Sequence, residues 1–315
     1  MRITSSFFKI FIAIGMLFSG IAAMGQEGNT HTWAVKLQKD YNKSYPVTNE
    51  TLVLLSRYGK MNIETWDKNE IKVEAHISIG AQSNEYATQV LNRVNVNDEK
   101  KDDKIIFTTQ IGSWSDNSSN GGHEMRIDYT VHVPANAKLY AENNYGPLTI
   151  GDYNGESELV CRSGTLTAGK LSNCKSVTVE YGRVVIESIS DSKLLFRSSR
   201  VDIAKIAGKI TGQFDYCTSV DMPVDNALKQ LELNNTNTNL YLMAPADFSA
   251  DYDITTSNAR VTGKNNFVIK EEMSPTAANS RTNNFSSNHK YAGSLGKGGG
   301  AQINIKSNSG NIRVM

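Results

Sequence analysis

The chain has 315 residues, 39% of them hydrophobic and 21% charged, enough to bury a core in one long or two ordinary domains. Lys plus Arg is 33 and Asp plus Glu is 32, a balance with no basic excess of the kind that drives binding to nucleic acid or an anionic surface.

The first predicted element is a secretory signal over residues 1–25. Arg2 and Lys9 precede an apolar run from Ile10 to Phe18, and small residues at Ala23 and Gly25 favour cleavage before Gln26. The run is shorter than the ~20 apolar residues needed to span a bilayer, and no later segment reaches that length. Removing residues 1–25, which contain two bases and no acid, turns a formal charge of +1 into −1. The mature chain is therefore expected to be exported, without a transmembrane segment.

Residues 26–45 are polar and are expected to form a flexible leader. Residues 46–140 are expected to form a β-rich part that caps or begins the main body. Within it, "RYGKMNIETW" from Arg57 and "NEIKVEAHISIG" alternate as strands do. A short helix over 83–94 is predicted from the stripe Tyr86, Val90, Leu91 and Val94, with Ser83 as its N-cap. "KIIFTTQI" and "MRIDYTVHVP" follow as strands, separated by a Ser/Asn/Gly loop at 112–122.

From residue 141 one phrase returns: "NYGPLTI", "RSGTLTA", "EYGRVVI". Taking one turn residue per unit gives Gly146, Gly164, Gly182, Ser199, Cys217, Thr236 and Ser257, at spacings of 18, 18, 17, 18, 19 and 21. Apolar residues fall mostly five and three before the turn and two and four after it, the period of strands buried on one face. Each unit then reads strand, tight turn, strand, looser turn. Two such strands are marginal alone, but units stacked at ~4.8 Å share a continuous core. The predicted fold is all-β: a single-chain parallel β-solenoid (β-helix) over 141–315, with coils of about 18 residues. A polar, glycine-rich stretch at 274–300 is expected to be a mobile loop, and "AQINIKSNSGNIRVM" to close the stack as its last coil.

Two outward columns follow from this register. One reads Asn144, Arg162, Glu180, Arg197, Asp215 and alternates in sign after its first member. The next reads Tyr145, Ser163, Tyr181, Ser198, Tyr216, alternating large and small. Side chains on adjacent rungs lie one strand spacing apart, so alternation avoids like-charge contact and gives each tyrosine ring room. Tyr145, Tyr181, Tyr216, Arg162, Glu180, Arg197 and Asp215 are the candidate binding face. The tyrosines read first as a packing device that fixes register, and otherwise as a carbohydrate-stacking stripe.

Little else in the sequence suggests chemistry. Cys161, Cys174 and Cys217 form no C-x-x-C and read as small buried residues, with one disulfide at most. Asp202 and Asp221 recur on successive coils with Asp215 nearby; Ca²⁺ binding or glycoside hydrolysis could use such a pattern, but a solvated acidic face is the stronger reading. His31, His76, His123, His132 and His289 are scattered, and Gly298 to Gly300 lacks the lysine and helix of a phosphate loop. No catalytic residue, metal site or cofactor is predicted.

The combination of the turn phrase with "WDKNEIKV" (Trp66 to Val73), "IDYTVHVPANAKL" (Ile127 to Leu139), "NYGPLTIGDYNG" (Asn144 to Gly155) and "GGGAQINIKSNSGNIRV" resembles a known family. This is the group of adhesin-like β-solenoid envelope proteins of unknown function from Bacteroidota, similar to auto-transporter adhesin heads, and the match covers most of residues 47–315. The resemblance implies the architecture and an envelope location, and it carries over no catalytic residues.

The expected function is that of an exported non-enzymatic envelope protein presenting a solenoid face to a glycan or a protein partner. A polysaccharide-acting β-helix enzyme and a regulatory or stress-responsive envelope component are the alternatives.

Overall fold

The computed structural model describes residues 32–113, 122–263, 269, 271 and 288–315. The expected signal at 1–25 and the centre of the expected 112–122 loop lie outside these residues. The protein is all-β with one helix among the described residues.

In chain order the N-terminal elements are β1 (Val35–Pro46), β2 (Thr51–Arg57), β3 (Met61–Trp66), β4 (Glu70–Ala81), α1 (Asn84–Arg93), β5 (Val94–Lys101), β6 (Lys104–Ile111) and β7 (His123–Pro134). The repeats supply β8 (Lys138–Asn144), β9 (Leu148–Ile150), β10 (Ser157–Arg162), β11 (Thr165–Leu171), β12 (Cys174–Glu180), β13 (Arg183–Arg197), β14 (Arg200–Ile203), β15 (Ile206–Asp215), β16 (Ser219–Thr236) and β17 (Leu240–Met243). The C-terminal part adds β18 (Ala250–Ser257), β19 (Val261–Gly263), β20 (Asn288–Leu295), β21 (Ala301–Asn308) and β22 (Ile312–Val314).

These strands pair as two parallel ladders. One runs β6, β2, β8, β10, β12, β13, β15, β16, β21, β18. The other runs β7, β3, β9, β11, β13, β14, β16, β17, β22, β19. The long strands β13 and β16 belong to both. Antiparallel strands are added at the ends: β5 on β6, β4 on β7, β1 on β4, and β20 on β18.

Alternation builds the core. Leu54, Ala141, Leu159, Val177 and Leu194 stack in register on one ladder, and Met61, Leu148, Leu166, Val184 and Val201 on the other; all are buried. Each large aliphatic side chain contributes roughly 1.5–3 kcal/mol of transfer free energy. Gly212 breaks the first column, and its missing side chain makes room for Phe214, which stacks on Phe196 at 5.3 Å.

The helix matches its signal. Ser83 caps it, its Oγ accepting from the Tyr86 N–H at 3.2 Å, and Ala87 and Val90 are buried beneath it.

Four expectations change. The flexible leader is wrong over its second half, because Val35–Pro46 is strand β1. Val35, Leu37, Tyr41 and Tyr45 alternate along it and pack on the core, and both tyrosine rings meet Phe107 edge-on. The glycine-rich stretch contains strand β20 over Asn288–Leu295, while 272–287 lies outside the described residues. The turn residues Thr236 and Ser257 are each placed two positions early. Thr236 pairs with Asp215 and Asn308 with Ser257, so Thr238 and Ala259 take the place that glycine holds elsewhere. The last coil, β21–β22, does not close the stack: it lies between the β16–β17 coil and the β18–β19 coil.

Candidate functional site

Nine coils, all those described except the one made by β6 and β7, turn between the two ladders through one residue in left-handed backbone. These are Tyr58, Tyr145, Ser163, Tyr181, Ser198, Tyr216, Asn237, Asn258 and Ser309, with φ between 47° and 64°. At Tyr145, Tyr181 and Ser163 the next residue is a glycine lying almost against the rung below. A Cβ on Gly164 would sit 2.0 Å from the Gly146 carbonyl oxygen, and one on Gly182 2.0 Å from that of Gly164. Ser199, Cys217 and Thr238 fill the same place on later rungs with buried side chains, Ser199 Oγ donating to the Arg197 carbonyl at 2.7 Å.

The left-handed corners form an exposed edge. Tyr145, Tyr181 and Tyr216 are 58%, 62% and 59% exposed, and with Tyr58 at 37% they are the large hydrophobic side chains most open to solvent among the described residues. Tyr58 and Tyr145 sit on adjacent rungs and stack at 5.1 Å with planes 8° apart. Ser163 and Ser198 occupy the rungs between Tyr145, Tyr181 and Tyr216.

The predicted charged column has the predicted register: Asn144, Arg162, Glu180, Arg197 and Asp215 pair rung to rung. Arg162 Nε donates to Glu180 at 3.0 Å, and Arg197 lies 3.6 Å from the other Glu180 oxygen. Arg162 also donates to Glu142 at 2.7 Å, a partner two residues upstream of the expected column. Burial alone would lower the Arg162 pKa, but the Glu142 and Glu180 charges outweigh it and raise it. Burial likewise pushes the Glu142 carboxyl up, while hydrogen bonds from Asn144 and Tyr140 and the Arg162 charge bring it below its ordinary value.

On the other flank, Arg183 grips Asp202 through two nitrogens at 3.1 and 2.7 Å, and Arg200 reaches the same carboxylate at 3.7 Å. Asp221 pairs with Asp202 on the next rung; burial and then the Asp202 charge raise its pKa. Of the recurring acids, Asp202 is thus tied to two arginines, while Asp215 accepts a hydrogen bond from Gln213.

The sequence reading missed Tyr58, Glu142, Arg183 and Arg200. Tyr58 carried the signal, since "RYG" at Arg57 repeats the turn phrase. It stands beside a cleft of about 460 Å³ shared with Arg57, Ile111 and Met125, at the place where β6 runs on past its last pair with β2, Leu55 with Thr108.

The remaining chemistry is dispersed. Cys161, Cys174 and Cys217 are free and buried, and burial pushes the first two thiols up to about 11. His76 pairs with Asp40 and His289 with Glu271, while His132 stacks on Trp66 at 5.0 Å. Among the described residues no group of three or more His, Cys, Asp or Glu could hold a metal ion, and no helix is long and apolar enough to cross a membrane.

No protein-family model matches the chain, and no curated protein does. Among solved structures, a candidate adhesin from Bacteroides fragilis is 11% identical, covering 88% of this chain and 97% of its own, with a TM-score of 0.35. A candidate cell adhesion protein from Clostridium sporogenes is 13% identical, covering 88% and 99%, with a TM-score of 0.23. A candidate lipid binding protein from Parabacteroides distasonis is 8% identical, covering 87% and 96%, with a TM-score of 0.34. Likenesses of this size carry no argument about function.

Proposed function

We propose that the chain is an exported, non-enzymatic, adhesin-like envelope protein that binds its partner along the tyrosine edge of a parallel β-solenoid. The two parallel ladders support the solenoid reading, and the signal-like residues 1–25 support export. The observation that carries the binding role is the placement of four tyrosines in left-handed backbone on one exposed edge. That backbone costs a residue with a Cβ roughly 1–2 kcal/mol. Serine and asparagine occupy the same corners, so the turn does not require a ring. An exposed tyrosine adds little to the core, yet it offers a large rigid face with a polar tip to a partner. The pairing of Asp202 with Arg183 and Arg200 favours a binder over a polysaccharide-acting enzyme.

The test compares the chain from Gln26 onward with a variant carrying Tyr145→Ser, Tyr181→Ser and Tyr216→Ser, a substitution the corners already accept. Retention on envelope preparations and on a glycan array is measured, with product analysis of any bound glycan. Losing three aromatic anchors should weaken binding at least ~10-fold. Equal retention of both proteins, or cleavage of a bound glycan, overturns the reading.

A further inference from the structure

We propose that the occupant of the tyrosine edge is a second copy of the same chain, docked antiparallel about a two-fold axis, with each copy's tyrosines entering the other's serine and asparagine rungs. The proposal rests on that edge being the binding face and names its partner.

The spacing comes first. Tyr145, Tyr181 and Tyr216 stand two rungs apart, or about 9.6 Å, with a serine between. A ring inserted at a serine rung lies ~4.8 Å from each neighbour. Tyr58 and Tyr145 already stack at nearly that distance, 5.1 Å, within one chain.

The order of the corners is self-complementary. Place the axis between the Tyr181 and Ser198 rungs. Tyr181 then faces the second copy's Ser198, Tyr216 its Ser163, Tyr145 its Asn237 and Tyr58 its Ser309, and every ring meets a small residue. Shifting the second copy two rungs one way brings Tyr58 onto Tyr216. Shifting it two rungs the other way sets Ser163 against Ser309 and leaves a slot empty.

Charge fits this register and rejects a shift of one rung either way, which would set Glu180 or Arg197 against its own copy. An antiparallel two-fold keeps each flank against its own counterpart, so Arg197 meets Glu180 and Arg162 meets Asp215, each twice. The pairs Asn144 with Thr236 and Arg57 with Asn308 complete the column without a like-charge contact. On the other flank Arg183 meets Arg200, and the one Asp202 carboxylate that the two arginines share in each copy offsets part of that like-charge contact. Such an interface is isologous, the closed form most homodimers take. Eight rungs at ~4.8 Å run about 38 Å, and a standard patch of ~800 Å² per copy needs only about 20 Å of width over that length.

Sedimentation equilibrium on the chain from Gln26 onward should show a monomer–dimer equilibrium. Ser198→Tyr fills the slot that receives Tyr181, and it should weaken association ~100-fold while leaving the circular dichroism spectrum unchanged, because tyrosine occupies this corner on neighbouring rungs. Arg197→Glu alone and Glu180→Arg alone should each be monomeric, since each faces its own like charge across the axis. Mixed together, the two variants should form a heterodimer. A wild-type chain that stays monomeric at millimolar concentration overturns the pairing, as does a dimer indifferent to Ser198→Tyr or a mixture that fails to associate. A monomeric wild type whose triple tyrosine variant still loses envelope retention overturns the pairing alone and leaves the binding role standing.

Discussion

At the residue scale, the corner position shows how one backbone requirement admits very different side chains. Left-handed φ recurs at nine corners, and tyrosine, serine and asparagine all supply it, so the identity of the residue there is free to serve the surface. The position two places earlier faces inward and is filled by size and polarity, as at Cys161 and its neighbours Asn143 and Val179. Burial keeps the three thiols protonated: Cys161 and Cys174 are pushed up to about 11 from an ordinary value near 8.5. At pH 7.5 a disulfide-exchange reagent should label none of them in the native chain and all three once it is unfolded. Because the raised pKa belongs to the folded state, the contribution of Cys161 and Cys174 is fully kept below ~8.5 and is lost as pH rises from there toward about 11. Fast labelling of native protein would mean that the inward assignment is wrong.

At the element scale, coils are held together where backbone meets backbone. Gly164 sits between Gly146 and Gly182, each within van der Waals reach of the next rung's carbonyl. Gly164→Ala puts a methyl 2.0 Å from an oxygen that cannot retreat without moving its own rung. A loss of roughly 1–3 kcal/mol is expected, read as a lower midpoint in denaturant at unchanged slope. Ala at Gly151, where nothing lies within 4 Å of the added carbon, should be close to neutral by the same measurement. These turns were legible in the sequence because Gly-centred phrases recur there at near-constant spacing. The helix was legible too, since a serine cap and an apolar stripe coincide. Strand β1 was not. Its inward-facing positions run Leu37, Lys39, Tyr41, Lys43 and Tyr45, lysines interrupting the apolar period, and what makes it a strand is the distant partner β4. Glu142 escaped for a related reason: the long Arg162 side chain reaches back two residues beyond the rung it pairs with.

At the scale of the whole molecule, rung order departs from chain order at both ends. The first coil, β2–β3, lies between the β6–β7 coil and the β8–β9 coil. The last coil, β21–β22, lies between two coils that precede it in the chain. Period and phase place a strand on a ladder but say nothing about which rung it takes, so the sequence put β21–β22 at the outside. Removing residues 301–315 therefore takes away an interior layer. Ile303, Ile305, Ile312 and Val314 are buried there, at roughly 1.5–3 kcal/mol each, a sum comparable with the ~5–15 kcal/mol margin of a typical domain. The truncated chain should be cut by protease throughout 244–263 under conditions where the full chain resists. Survival of that segment would place the final coil at the edge after all.

The interleaving also bears on time. Synthesis delivers both walls of the final slot before it delivers the occupant. Until residues 301–314 arrive, β16 and β18 each lack the strand that pairs with both of them. The β21–β22 coil is a clasp: it fastens two earlier parts of the chain to each other, so those parts gain their shared layer only after both have been made.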